Sequence, residues 1–130
     1  MGLSISYVLD ASAVLAMIHR ERGQEVVAAA LRSSAISTVN LAEALQSVIE
    51  RGGSPEEVAV RLESLGVVIV PPTVEDAMRV AELRAPTRRS GLSLADRCCL
   101  ALAERLGATA LTADGAWLEA GHGVPVELIR

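Results

Sequence analysis

The aspartates are the residues whose placement most needs a chemical explanation. The chain has twelve glutamates but only four aspartates, Asp10, Asp76, Asp96 and Asp114. Glutamate is favoured inside helices, whereas aspartate is a poor helix former that serves at caps, turns and reactive sites. Asp10 ends the strand-forming run of YVLDASAVLA and precedes an alanine-rich helical pattern. It can be the N-cap of that helix or a reactive carboxylate at the end of a strand.

The elements that must position these carboxylates alternate along the chain. Short apolar segments predict strands at 5–9, 35–38, 67–70, 109–112 and 125–129. Periodic segments predict helices at 12–20, 24–32, 40–51, 55–64, 74–85 and 93–106. This alternation is typical of an α/β protein in which helices cover both faces of a mainly parallel sheet.

Four carboxylates converge on one edge of the predicted sheet. Strand C-termini and helix N-termini share that edge, where open α/β sheets bind ligands. Asp10 follows the first strand, and Asp114 follows the fourth. Glu43 is predicted in the first turn of the helix after the second strand, and Asp96 in the first turn of the helix before the fourth.

Each of these acids also has a structural explanation of its own. Asp10 can be an N-cap, and Asp96 can complete a capping box that begins at Ser93. Glu43 can belong to a solvated helix face, and Asp114 can begin a turn. Taken together these explanations are weaker, because four like charges at one edge repel unless cations lie among them. Hard cations with oxygen ligands, Mg²⁺ or Mn²⁺, are the natural occupants.

The remaining residues of chemical interest are assigned structural roles. Asp76 completes a capping box that begins three residues before it. Cys98 and Cys99 are adjacent, so a disulfide between them would be strained, and both are expected to be small core residues. His19 and His122 lack a metal-ligand spacing and are expected to be surface or capping groups.

The acidic composition limits the possible function classes without excluding RNA. The net charge is −4, and all twelve basic residues are arginine. A negative chain is an unpromising nucleic-acid binder, but four acids neutralised in a metal site would leave the remaining charges balanced. Arginine is also the better bidentate partner for phosphate.

Membrane and cofactor-binding classes fit the sequence poorly. Apolar residues make up 51% of the chain, yet no apolar run approaches the roughly 18 residues of a membrane span. Ser4, Ser6 and Asp10 interrupt the N-terminus, which argues against a signal peptide, so we expect a cytoplasmic protein without membrane association. No glycine-rich nucleotide motif is present, and the chain lacks the lysine that a phosphoacceptor receiver domain needs.

Four segments carry the acids, and together they resemble a known family. The segments are YVLDASAVLA, ISTVNLAEAL, GLSLADRCCLALA and ALTADGAW. In order and spacing they resemble the PIN-domain ribonucleases, specifically the VapC-type toxins of type II toxin–antitoxin systems. The resemblance covers essentially the whole chain and implies a single PIN domain over residues 1–130. It further implies a PIN-like three-layer sandwich, with a mainly parallel sheet of four to five strands flanked by helices.

The resemblance also assigns roles to individual residues. It implies that the acids of the edge hold divalent metal, Mg²⁺ or Mn²⁺: Asp10, Glu43, Asp96 and Asp114. It implies that small polar residues support them: Ser12, Asn40 and Thr112. The position after the fourth acid is often polar or charged in relatives and is Gly115 here, which weakens any contact proposed there.

The function implied by the resemblance is that of a toxin that cuts RNA. A metal-dependent endoribonuclease would use metal-activated water, and such toxins are usually homodimers silenced by a VapB-type antitoxin. Candidate phosphate-holding residues are close to Asp96 in sequence: Arg88, Arg89 and Arg97. A solvated surface explains these arginines equally well. The alternative function is a PIN-like binding module whose metals are structural or absent.

Overall fold

A single parallel sheet forms the centre of the molecule. The computed structural model describes residues 4–130, so the first three residues of the expected 1–130 domain lie outside the described part. The five strands are β1 (Tyr7–Leu9), β2 (Ser34–Ser37), β3 (Val68–Val70), β4 (Thr109–Thr112) and β5 (Val126–Leu128). They are ordered β3-β2-β1-β4-β5, and every neighbouring pair is parallel. The predicted strand count and the parallel sheet are confirmed.

Seven helices surround this sheet in residues 4–130. They are α1 (Ala11–Ile18), α2 (Gln24–Ala30), α3 (Thr38–Glu50), α4 (Pro55–Ser64), α5 (Val74–Glu82), α6 (Arg84–Thr87) and α7 (Leu94–Leu106). Two short 3₁₀ turns complete the described elements, at Leu31–Ser33 and Gly115–Leu118. None of the described helices is long and apolar enough to cross a membrane.

Neighbouring strand residues point into two separate cores, as the alternation of side chains along a strand requires. Leu9 and Leu111 lie in a core shared with α1 and α2, which includes Val14. Val8 and Ala110 lie in the other core, which α7 and the 3₁₀ turn after β4 help to form. The predicted three-layer α/β sandwich is confirmed.

Two local expectations need correction. The helix after β2 begins at Thr38 rather than at residue 40, because the Ser37 hydroxyl accepts a hydrogen bond from Val39 N and caps it there. Glu43 therefore lies in the second turn of α3, not in the first. Cys99 is buried as expected, but Cys98 is only half-buried.

Asp76 has the structural role predicted for it. The capping box with Thr73 is present in both directions, at 3.0 Å for each bond. Its carboxylate also receives two hydrogen bonds from Arg105, whose Nε lies 2.9 Å from Oδ1. Asp76 thereby fastens the start of α5 to the last turn of α7.

Candidate active site

Asp10 lies at the end of β1 and is only 5% exposed. Its Oδ1 accepts hydrogen bonds from Ala13 N at 2.9 Å and from the Ser12 hydroxyl at 2.7 Å. Its Oδ2 accepts the Thr112 hydroxyl at 2.6 Å. Asp10 is therefore the N-cap of α1 and also a buried carboxylate tied to β4, so the two explanations given by the sequence are compatible.

The two hydroxyls beside Asp10 are oriented by backbone amides. Ser12 Oγ accepts Ala113 N at 2.9 Å, and Thr112 Oγ1 accepts Asp114 N at 3.1 Å. Because each oxygen accepts an amide hydrogen, its own hydrogen is directed to the Asp10 carboxylate. Ser12 and Thr112 thus hold Asp10 in place and join the ends of β1 and β4.

Asp114 is exposed and begins the 3₁₀ turn Gly115–Leu118. Its Oδ1 accepts Ala116 N at 3.0 Å, so the turn predicted at this position is present. Within residues 4–130, hydrogen bonds connect Asp114 to Asp10 only through Thr112: the backbone amide of Asp114 donates to the Thr112 hydroxyl, which donates to Asp10.

Asp96 and Glu43 approach the same edge from two helices. Asp96 is half-buried, and its Oδ2 accepts Ser93 N at 2.9 Å in the capping box that the sequence predicted. Glu43 is exposed on α3. Asn40 connects the two helices, because its Nδ2 donates to Ala95 O of α7 at 3.0 Å. Asn40 is completely buried, and its Oδ1 has no hydrogen-bond partner within residues 4–130.

The charges of three acids act on one another. Burial raises the pKa of Asp10 above its usual value, and the charge of Asp96 adds to this, while the bonds from Thr112, Ser12 and Ala13 oppose it. Desolvation of the Glu43 carboxylate, followed by the charges of Asp96 and Asp10, raises the pKa of Glu43. Asp10, Glu43 and Asp96 therefore form one electrostatic group at the sheet edge.

The residues fit a divalent metal in chemistry but are not gathered into a finished ligand set. Carboxylate oxygens are the donors that Mg²⁺ and Mn²⁺ prefer, and a cation would relieve the mutual repulsion just described. Among residues 4–130, however, no three acidic, histidine or cysteine side chains meet closely enough to form a metal-binding group. The Asp10 carboxylate is held by three hydrogen bonds, whereas Asp114 and Glu43 are exposed, Asp114 with one hydrogen bond from Ala116 N and Glu43 with none from its side chain in residues 4–130. A metal shared by these acids would therefore have to bring the exposed carboxylates of Glu43 and Asp114 toward the buried carboxylate of Asp10.

The three candidate arginines differ in their surroundings. Arg88 and Arg89 are exposed just after α6, and neither forms an ion pair in the described part of the chain. Arg97 is 8% exposed, and its Nη1 donates to Val80 O at 2.8 Å. Arg97 therefore lies in the buried contact between α7 and α5 rather than on the surface with Arg88 and Arg89, and its role in holding a substrate phosphate stays a prediction.

His122 makes two hydrogen bonds to the backbone in the segment that follows Asp114. It is buried, its Nε2 donates to Trp117 O at 2.8 Å, and its Nδ1 accepts Val124 N at 2.9 Å. It therefore caps the 3₁₀ turn that follows Asp114, so of the two roles expected for His122, a surface or a capping group, the structure shows the capping one. The flanking glycines Gly121 and Gly123 were the available signal for a tight, specific turn. His19 is half-buried and is the C-cap residue of α1.

Residues 7–122 match the family model for the PIN domain. The chain belongs to the PIN domain family. This match spans all four acidic positions of the candidate site. A comparison with curated proteins finds no match.

Solved structures with the same fold include components of toxin–antitoxin systems. A toxin–antitoxin complex from Klebsiella pneumoniae matches this PIN domain with a TM-score of 0.76 and 19% identity, over 96% of this chain and 98% of that chain. DNA-bound VapBC from Salmonella typhimurium matches with a TM-score of 0.72 and 16% identity, over 97% and 99%. VapC20 from Mycobacterium tuberculosis, a toxin that cleaves the sarcin–ricin loop, matches with a TM-score of 0.71 and 17% identity, over 89% and 95%. At these identities the likeness establishes the fold.

Proposed function

We propose that this PIN domain is a metal-dependent endoribonuclease that acts as the toxin of a toxin–antitoxin pair. The observation that carries the proposal is the buried Asp10, which is fixed by Ser12 and Thr112 within the electrostatic field of Asp96. A carboxylate this constrained exceeds what a helix cap requires, since a single bond to an amide is enough for a cap. The resemblance of the four acidic segments and the toxin–antitoxin neighbours of the fold support the same function.

The acids would share the work of binding metal and orienting water. Asp10 and Asp114 are the proposed principal ligands, and Glu43 and Asp96 would complete the coordination or position the attacking water. When bound, Mg²⁺ or Mn²⁺ supplies activation of water and neutralisation of charge on the leaving 3′ oxygen. Ser12 and Thr112 would keep Asp10 oriented, and Asn40 would hold the helices of Glu43 and Asp96 side by side.

The proposed RNA contacts come from arginines next to this edge. Arg88 and Arg89 are exposed and free of acidic partners in residues 4–130. They stand in the loop that leads to Ser93 and the capping box of Asp96. Their guanidinium groups are therefore available to hold the RNA backbone while the acids act on one phosphodiester.

The proposed partners and location follow the toxin role. We propose a homodimer in the cytoplasm, inhibited by a VapB-type antitoxin. Expression should arrest growth, and co-expression of the cognate antitoxin should restore it. A folded, metal-loaded protein that is harmless when expressed would contradict the toxin role, and a monomer at micromolar concentration would contradict the dimer.

A second candidate is a PIN-like binding module whose metal is structural or absent. The observation that favours it is the lack of a preformed metal-binding group within residues 4–130. An RNA cleavage assay with and without EDTA, repeated with Asp10→Asn, separates the two functions. The nuclease requires cleavage that is lost in EDTA and in the variant, whereas the binding module predicts RNA binding without cleavage under every condition.

A further inference from the structure

His122 joins the two ends of the segment that leads from Asp114 to β5. The imidazole is buried, with 6% of the residue exposed, and its Nε2 lies 2.8 Å from Trp117 O. Its Nδ1 accepts Val124 N at 2.9 Å. Trp117 belongs to the 3₁₀ turn that Asp114 begins, and Val124 lies two residues before β5. One buried ring therefore bridges the turn after β4 and the approach to β5.

The two hydrogen bonds of His122 require the neutral imidazole with its hydrogen on Nε2. The amide of Val124 can only donate, so Nδ1 must present its lone pair to that amide. The carbonyl of Trp117 can only accept, so Nε2 must carry the hydrogen. Both partners are backbone groups, and the ring consequently fixes main chain to main chain.

The turn that His122 holds also determines where the Asp114 carboxylate lies. Trp117 N donates to Asp114 O at 3.2 Å, and Ala116 N donates to Asp114 Oδ1 at 3.0 Å. Trp117 is itself fully buried in the core that α7 helps to form. The Asp10 carboxylate has three hydrogen bonds, whereas that of Asp114 has only the bond from this turn in the described part of the chain. The position of Asp114 therefore depends on the turn.

We propose that His122 is a positioning residue for Asp114 and thereby strengthens the binding of Mg²⁺ or Mn²⁺ at the acidic edge. The inference rests on the proposed function, in which Asp114 is a principal metal ligand. The acids of residues 4–130 are not gathered into a metal-binding group, so binding must order Asp114. A turn held at both ends limits the conformational entropy that this ordering costs. Loss of a residue that orients a metal ligand typically lowers metal affinity by about ten- to a hundredfold.

Binding of Mn²⁺ to the full chain tests the proposal, because electron paramagnetic resonance measures free Mn²⁺ without any cleavage reaction. His122→Phe keeps a buried ring and removes both hydrogen bonds, so the dissociation constant for Mn²⁺ should rise about tenfold or more. Ser34→Ala is the matched control, since it removes a buried hydrogen bond of 2.7 Å to Ala30 O at the opposite end of the strands. It should lower stability and leave the affinity for Mn²⁺ unchanged.

Two conservative variants separate the hydrogen bonds and carry the test if His122→Phe does not fold. His122→Asn places an amide oxygen near the position of Nδ1 and can still accept Val124 N. His122→Gln places an amide nitrogen near the position of Nε2 and can still donate to Trp117 O. Each variant keeps one bond of the two, so each should bind Mn²⁺ more weakly than wild type and more tightly than His122→Phe.

A double-mutant cycle with Asp114→Asn shows whether His122 acts through Asp114. Asparagine can still cap the turn, so Asp114→Asn should fold and bind Mn²⁺ more weakly, and a further change at His122 should add little to that loss. An equal added loss in both backgrounds, or unchanged Mn²⁺ affinity in the His122 variants alone, would overturn the inference and leave the metal role of Asp114 intact. Wild-type affinity for Mn²⁺ in Asp114→Asn would overturn both the inference and that role.

Discussion

Thr112 Oγ1 donates to Asp10 Oδ2 at 2.6 Å and joins the end of β4 to the end of β1. The same oxygen accepts the backbone amide of Asp114 at 3.1 Å. One buried hydroxyl therefore orients the most constrained acid of the site and also places the backbone of the fourth acid. Thr112 therefore links the C-terminal end of β4 to that of β1 and fixes the positions of Asp10 and of the Asp114 backbone relative to each other.

Replacing Thr112 by valine should damage both the fold and the site. Valine has the same shape but neither donates to Asp10 nor accepts from Asp114 N, so buried polar groups lose their partners. We expect a loss of about 1–3 kcal/mol in the free energy of unfolding, measured by urea denaturation. RNA cleavage should fall by more than the small change in folded fraction explains, because Asp10 loses its orientation.

Thr112→Ser is the matched control for this prediction. Serine keeps the hydroxyl and loses only a methyl group, so it should retain most of the cleavage activity. If Thr112→Val is as stable and active as Thr112→Ser, the hydroxyl does not position Asp10, and its hydrogen bonds to Asp10 and Asp114 have no functional role.

The dependence of stability on pH should reveal the buried state of Asp10. Burial, the largest influence, raises its pKa, so the folded protein holds a proton at pH values where the unfolded chain has lost it. The free energy of unfolding therefore contains a contribution that decreases as pH rises above about 4, the usual carboxylate range. Asp10→Asn removes this contribution, and its stability relative to wild type should increase over that pH range in EDTA.

Asp76→Asn provides a control of opposite sign. Although burial alone would raise the pKa of Asp76, hydrogen bonds from Arg105 and Thr73 hold it below the usual value. Its contribution is present above the unfolded pKa and is lost as pH falls through the folded value. Asp76→Asn should therefore lose stability relative to wild type as pH rises toward about 4, on the acid side of the range in which Asp10→Asn gains stability. Parallel curves for Asp10→Asn and wild type would contradict the assignment of Asp10.

The proposed RNA contacts predict a specific change in salt dependence. Replacing Arg88 and Arg89 together by alanine should weaken RNA binding and make its dependence on salt concentration less steep, by up to about one unit of slope for each arginine. Fluorescence anisotropy with cleavage blocked by EDTA measures both quantities. A double change at Arg32 and Arg51 removes the same charge at the opposite end of the strands. If both double variants behave alike, the effect is one of net charge only.

The sequence predicted the sheet edge well because its signals are local. Asp10 stands where strand formers give way to a helix, and that boundary survives in the structure. The start of α3 was missed because the predicted strand 35–38 included the β-branched Thr38 and the helix was predicted only from residue 40, whereas the Ser37 cap starts the helix at Thr38.

Arg97 illustrates what sequence proximity cannot supply. It follows Asp96 directly, but neighbouring residues on a helix are turned by about 100° from each other, so they face different surroundings. Helix α7 is buried on much of its circumference, from Ala95 through Cys99 to Ala103. Arg97 therefore lies against α5, and only the tertiary packing of α7 reveals that.

The response of Asp10→Asn to metal is the decisive test of the site. Asparagine caps a helix about as well as aspartate, so a pure cap predicts a nearly neutral change in every condition. If Asp10 belongs to the charged group with Glu43 and Asp96, removing its charge relieves repulsion in EDTA, and the variant should then be at least as stable as wild type near neutral pH.

With millimolar Mg²⁺ or Mn²⁺, wild type should gain stability through ligand binding and the Asp10→Asn variant much less, and the variant should also lose RNA cleavage. Melting curves of both proteins with and without metal, beside an RNA cleavage assay, measure this. Equal responses to metal, together with cleavage by the variant, would reduce Asp10 to a helix cap.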